Sequence, residues 1–194
     1  MKNTLKSIEQ ITASYDVDMS HPRQVARLAV ELFDSCRELH GLSDVDRELL
    51  LYAGLLHDIG WHFGQQRHHK NSYDMILKDP PQGLSPREVK IVANVARYHR
   101  KGLPKTSHEG FAALKLSDRE IVRRLASLLR IADGLDVTHE DASTVLACDV
   151  SEDSVRIKVA AKGDVSFEFE AAMKKSDLFV ETFGKKVVFE AVNK

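Results

Sequence analysis

Little cysteine, no long apolar run and almost no net charge set the first bounds on this chain. Its 194 residues include two cysteines, Cys36 and Cys148. Two thiols so far apart lack zinc-site spacing and cannot build a disulfide framework. Each is read as a small apolar core residue. No apolar stretch approaches the ~20 residues of a membrane span, so no membrane partner is expected. The first residues, Met1 to Lys6, lack the apolar core of a secretion signal, and the cytoplasm is the expected location. The formal net charge of -1 removes the global electrostatic case for binding nucleic acid. Any anion must therefore be recognised by local clusters of charge.

What is present is a composition of 43% hydrophobic and 29% charged residues, which suits a globular domain. Leu5, Ile8, Ile11 and Thr12 recur at helical spacing in a lead-in helix over 3–14. A second helix is predicted from His21-Pro22 to Gly41, with proline where its missing N–H costs nothing. A third runs from Asp44 into His57-Asp58, with Gly60 as its cap. Residues 61–70 read as a cationic, histidine-rich loop, and 71–78 as a short helix. Ser85-Pro86-Arg87-Glu88 is a capping box that opens a helix ending at Tyr98-His99-Arg100. Ser117-Asp118-Arg119-Glu120 reads as a second box, opening the longest apolar helix, through Leu135. Alternation then predicts strands at 145–150, 155–161, 165–170 and 186–192, with a helix over 171–183 before the last. The expected fold is mainly α, a helical bundle over residues 1–140, with a small α+β subdomain over 141–194 packed on it.

The chemistry concentrates at the tip of the third helix. Leu49-Leu50-Leu51 and Leu55-Leu56 make it oily, yet it ends in His57-Asp58. Burying an imidazole and a carboxylate is costly without a partner, and a divalent cation takes both as ligands. His21 opens the second helix. Asp133 interrupts the apolar face of the long helix, where it needs either a metal or an ion pair with Arg130 or another basic group. His21, His57, Asp58 and Asp133 form one ligand set. His69 and His99 are candidates for a second ion, with His68 an adjacent competitor for His69. Asp58 could bridge the two, and paired ions roughly 3.5–4 Å apart clamp a phosphoryl group. Mixed nitrogen and oxygen ligation admits Mn, Fe, Zn, Ni or Mg. Arg67, Lys70, Arg97, Arg100, Lys101 and Arg130 would form a rim for phosphate, since guanidinium groups match phosphate oxygens in pairs. His40, His62, His108 and His139 read as surface or loop residues.

In this order, His21, His57-Asp58, His69, His99 and Asp133 resemble the HD-domain metal-dependent phosphohydrolase superfamily. The segments 53–60, 68–73, 96–104 and 130–136 are similar to the C-terminal HD region of the exopolyphosphatase and guanosine pentaphosphate phosphatase family. The resemblance spans nearly the whole chain. It implies an HD helical bundle holding one or two divalent ions, with His57, Asp58, Lys70 and Arg100 acting in catalysis on a nucleotide, a guanosine polyphosphate or polyphosphate. Full-length members of that family carry an actin-like phosphatase module, for which these residues leave no room. The alternative it implies is a non-catalytic regulatory module that binds metal or phosphate and partners a separate actin-like phosphatase chain. A homodimer is the other assembly considered.

Overall fold

A computed structural model describes residues 2–192. The helical part comprises α1 (Lys2–Ser14), α2 (Ser20–Ser35), α3 (Arg37–His40), α4 (Asp44–Leu56), a 3-10 turn (Ile59–Phe63), α5 (His68–Lys78), α6 (Pro86–Arg97), α7 (Glu109–Ala112) and α8 (Leu116–Gly134). Helix α8 is the axis of the bundle. Leu125, Leu128, Leu129, Ile131 and Ala132 are fully buried along it, and it touches α2, α4 and α6. Helices as short as these are marginal alone, so it is the shared apolar core that holds them. The expected mainly α fold with a small α+β tail is what the chain adopts.

The tail contains β1 (Ser143–Val150), β2 (Ser154–Ala161), α9 (Ser166–Lys174), α10 (Asp177–Phe183) and β3 (Lys186–Val192). The strand order is β1-β2-β3, with β1 antiparallel and β3 parallel to β2. A parallel pair needs a long crossover, and α9 and α10 provide it while packing on α8. Val155, Ile157 and Val159 join the same buried cluster as the helices. Among the described residues, no helix is long and apolar enough to cross a membrane.

Several local expectations need correcting. Helix α4 ends at Leu56 with His57, not Gly60, as its cap; the 3-10 turn and the start of α5 at His68 overlap the expected loop over 61–70; and His40, expected at the surface or in a loop, is buried. Residues 165–170 are not a strand; Ser166 begins α9, and Phe167 is 70% exposed, so the alternation there did not mark a sheet face. The predicted helix over 171–183 is two helices that break at Ser176. Ser117 does not cap α8, which starts at Leu116 with Lys115 before it; the neighbouring Asp118 is buried against Arg87 at 2.7 Å. The predicted second helix breaks at Cys36, whose backbone leaves helical values at φ -110° and ψ 20°, and the Phe33 carbonyl accepts the His40 ring Nε2–H at 2.8 Å across the break. The box at Ser85 forms as expected, with the Glu88 carboxylate accepting the Ser85 N–H at 2.7 Å.

Close backbone packing positions α4. A Cβ at Gly54 would lie 2.7 Å from the Ala26 Cα on α2. Gly54→Ala should therefore force the two helices apart and cost roughly 1–3 kcal/mol. Urea unfolding should show a lower midpoint at unchanged slope; an unchanged midpoint would contradict this packing.

His40 carries a pH-dependent contribution. Its Nε2–H donates to Phe33 and its Nδ1 accepts the Leu42 N–H at 3.0 Å, so the neutral ring is fully bonded. Burial, with help from Arg37 and Arg124, lowers its pKa below the ordinary 6.5. The unfolded chain then takes up the proton first as pH falls. This contribution is complete above about 6.5 and is lost as pH falls through the lower native value. Between pH 7.5 and 5.5, wild type should lose more stability than His40→Gln in urea titrations. Equal losses would count against it.

Candidate functional site

Three histidines are fixed by the same local device. The last carbonyls of a helix or turn have no partner within it. His57 Nδ1 lies 2.6 Å from the Gly54 carbonyl oxygen, His99 Nδ1 2.7 Å from that of Ala96, and His68 Nδ1 3.0 Å from that of Gln65. Each bond spans three residues. A carbonyl only accepts, so each Nδ1 must carry the hydrogen, which leaves a lone pair on Nε2 of the neutral ring.

Those Nε2 atoms converge on one carboxylate. Asp58 Oδ2 is 3.5 Å from His57 Nε2 and 3.9 Å from His21 Nε2; Asp58 Oδ1 is 3.3 Å from His68 Nε2 and 3.6 Å from His99 Nε2. His68 Nε2 and His99 Nε2 are 3.2 Å apart, and Arg100 reaches His68 Nε2 at 3.3 Å. His57 is fully buried, and among the described residues neither its Nε2 nor Asp58 Oδ1 has a hydrogen-bond partner. Burial pushes the His99 pKa down to about 3 and lowers that of His68. The result is a buried face of acceptors with few donors to satisfy it.

The other side is held by carboxylates. His21 Nδ1 is 2.7 Å from Asp136 Oδ2, and its Nε2 is 3.4 Å from Asp133 Oδ1. Burial opposes the charged ring, but the bonds to Asp133 and Asp136 prevail and raise its pKa to about 9. Asp133 is buried, which favours its neutral form, yet the Lys175 ammonium bonded to it and the His21 ring hold its pKa well below the carboxylate range. Two groups, His21 with His57 and Asp133, and His57 with Asp58 and His99, have potential ligand atoms within 4.8 Å of one another. A divalent cation fits this donor set, because it would satisfy the orphaned His57 Nε2 and Asp58 Oδ1 together.

Several sequence-predicted residues fall elsewhere. His68, not His69, faces Asp58; His69 opens onto a neighbouring cavity of about 370 Å³ with Arg67, Arg100 and Lys101. Arg130 is buried in an ion pair with Asp177 at 2.8 Å and also donates to the Tyr98 carbonyl, so it ties α8 to α10 rather than joining a rim. Arg97 lies over the Tyr73 and Tyr98 rings, and Lys70, half-buried on α5, lines none of the described cavities around Asp58. Arg100 and Lys101 do line the cavity of about 400 Å³ above Asp58.

Sequence reasoning missed Asp136, His139, Lys175, Trp61 and Ser72. Asp136 follows Asp133 at helical spacing, which was a usable signal. His139, read as a loop residue, stacks on His21 with ring centroids 3.8 Å apart, and Trp61 stacks on His68 at 4.9 Å. Lys175 arrives from the far end of the chain with no local cue.

Ser72 clamps the segment that carries the site. Its hydroxyl donates to the His57 carbonyl at 2.6 Å and accepts the Gly60 N–H at 3.0 Å. Ser72→Ala would leave two buried backbone groups unpaired, at a cost of about 2–3 kcal/mol. Thermal and urea unfolding should both register the loss; wild-type stability in the variant would refute the clamp.

The chain matches the description "Ppx/GppA phosphatase, domain III" over residues 5–182. It is 25% identical over 138 residues to a protein of Pseudoalteromonas atlantica named guanosine-5'-triphosphate,3'-diphosphate pyrophosphatase, covering 71% of this chain and 27% of that protein. A protein of the same name from Pseudoalteromonas translucida is 29% identical over 143 residues, covering 72% of this chain and 29% of the relative. The chain thus spans under a third of the length of these curated relatives. The match takes in nearly all of the helical part and the first two strands, leaving only β3 beyond it, and the chain belongs to the Ppx/GppA phosphatase domain III family.

Proposed function

We propose that this chain is a metal-dependent phosphohydrolase of the HD type, acting on a phosphorylated small molecule such as a nucleotide, a guanosine polyphosphate or polyphosphate. The observation that carries the reading is the convergence of His57, His68 and His99 Nε2 on Asp58, with His57 Nε2 and Asp58 Oδ1 unpaired in the interior. His21, His57, Asp58, His68, His99 and Asp133 would hold one or two divalent ions. Such an ion supplies Lewis acidity to a phosphoryl oxygen and lowers the pKa of water towards roughly 7. Membership of a family described as phosphatases supports the reaction class.

The chain's own groups fit the remaining tasks. Asp136 fixes the His21 ring by its bond to Nδ1, as partners behind metal-bound histidines do. Arg100, Lys101 and Lys175 line the cavity above Asp58, and their cations would draw in a phosphate and offset charge that builds on its oxygens. His99, kept neutral by burial, offers a lone pair rather than a competing positive charge.

A second reading is a phosphate-binding regulatory module without turnover, partnering a separate actin-like phosphatase chain. It is favoured by the Lys175–Asp133 pair, because an ammonium group already compensates one expected ligand.

Protein purified without chelator should contain a transition metal by elemental analysis. With Mn²⁺ it should hydrolyse at least one member of a panel of nucleotides, guanosine polyphosphates and polyphosphate. Asp58→Ala should abolish that turnover, and Asp136→Asn should lower it about 10–100-fold. Metal-free protein that turns over nothing on the panel after Mn²⁺ loading would favour the regulatory reading.

A further inference from the structure

The trough around Asp58 has a direction. On one side of the Asp58 carboxylate lies the cavity of about 400 Å³ whose cations are Arg100, Lys101 and Lys175. It shares Arg100 and Lys101 with the smaller basic cavity beside Arg67 and His69. On the other side lies a cavity of about 320 Å³ lined by Val17, Pro22 and Trp61 and flanked by Asp16 and Asp18. His21, Asp58, Trp61 and His139 line both the first and the last of these. The three cavities therefore adjoin through shared walls, with cations on one side of Asp58 and an apolar, acidic lining on the other.

The acidic side is rigidly built. The Val17 N–H bonds to the Thr12 carbonyl and the Asp16 N–H to that of Ala13, closing α1 with a Schellman-type turn. Asp16 holds the left-handed position of that turn, with φ of 51°, where glycine is the unstrained residue. Asp18, exposed just ahead of α2, accepts the Ser20 N–H at 2.9 Å. Trp61 has one face against His68 yet remains 43% exposed, and it borders both sides.

We infer that the ligand of this trough is an organic phosphate rather than an inorganic polyphosphate, with its organic group beside Trp61 and between Asp16 and Asp18, and its phosphates directed towards Arg100 and Lys101. The inference deepens the phosphohydrolase reading and rests on the same cavity. Carboxylates beside an apolar wall accept N–H and O–H donors, and an indole edge or face suits a planar ring. A polyphosphate chain offers no donor and places negative charge at every position along its length, so its approach to Asp16 and Asp18 is repulsive. An ester with hydroxyl or amino groups at one end and phosphate at the other matches both sides at once. Asp16 and Asp18 act here as specificity residues.

The test is calorimetric binding of adenosine 5'-diphosphate and of inorganic tripolyphosphate to the full chain, as purified and after Mn²⁺ loading, under conditions too cold and brief for turnover. Adenosine 5'-diphosphate should bind at least tenfold more tightly, although tripolyphosphate carries more charge. Asp16→Gly suits the left-handed backbone and should fold; it should narrow that ratio at least threefold, chiefly by strengthening tripolyphosphate binding. Asp18→Asn keeps an acceptor for the Ser20 N–H and should narrow it in the same sense. Tripolyphosphate binding as tightly as the nucleotide, or a ratio unmoved in both variants, would overturn the inference even if the loaded protein hydrolyses phosphoesters. A preference for the nucleotide that persists in protein without turnover would leave the inference standing and remove the hydrolytic reading alone.

Discussion

The site depends on three short hydrogen bonds that have nothing to do with a ligand. His57, His68 and His99 each give the Nδ1 hydrogen to a backbone carbonyl three residues earlier. That choice determines the tautomer, and the tautomer determines that each ring presents a lone pair to the Asp58 carboxylate. A buried cluster of acceptors is unfavourable by itself. The apolar core of the bundle supplies the stability that holds it together, and α8, buried along most of its length, is the element around which the other helices pack. The site thus sits at the edge of that core, with His57 and His99 buried in it and the Asp58 carboxylate bordering the cavity of about 400 Å³.

The two sides of the cluster are satisfied differently. Towards His21 the structure already provides positive charge, from the ring between Asp133 and Asp136 and from Lys175. Towards His57 and His99 the cations Arg100 and Lys101 stand at the cavity wall, and neither reaches the His57 Nε2 or the Asp58 Oδ1. The basic residues at the rim divide in the same way. Arg100 and Lys101 face the cavity, whereas Arg130 is spent on Asp177 and the Tyr98 carbonyl and Arg97 on aromatic rings. A count of arginines near the motifs would have overstated the charge available to a ligand.

Much of this was legible in the amino-acid order, for reasons that are local. His57-Asp58 at the end of an oily helix, the box at Ser85 and the buried aspartate at position 133 each conflict with, or complete, a simple pattern over a few residues. What was not legible depends on distance or on geometry finer than spacing. His68 and His69 are adjacent, and it is the His68 ring that turns inwards, held by the Gln65 carbonyl and the Trp61 face. Lys175 reaches Asp133 from the tail, and His139 reaches His21 by a left-handed turn, with φ of 61°. Residues 165–170 alternated like a strand, but the parallel pairing of β2 with β3 required a crossover there and the segment became helical.

The account is tested most directly by long-range ¹H–¹⁵N spectra of the histidine rings, recorded before and after addition of Zn²⁺. His57, His68 and His99 should each report a protonated Nδ1 and a bare Nε2 in the metal-free chain, and Zn²⁺ should shift the Nε2 signals while leaving the Nδ1 hydrogens in place. Rings protonated at Nε2, or Nε2 signals indifferent to the ion, would contradict it.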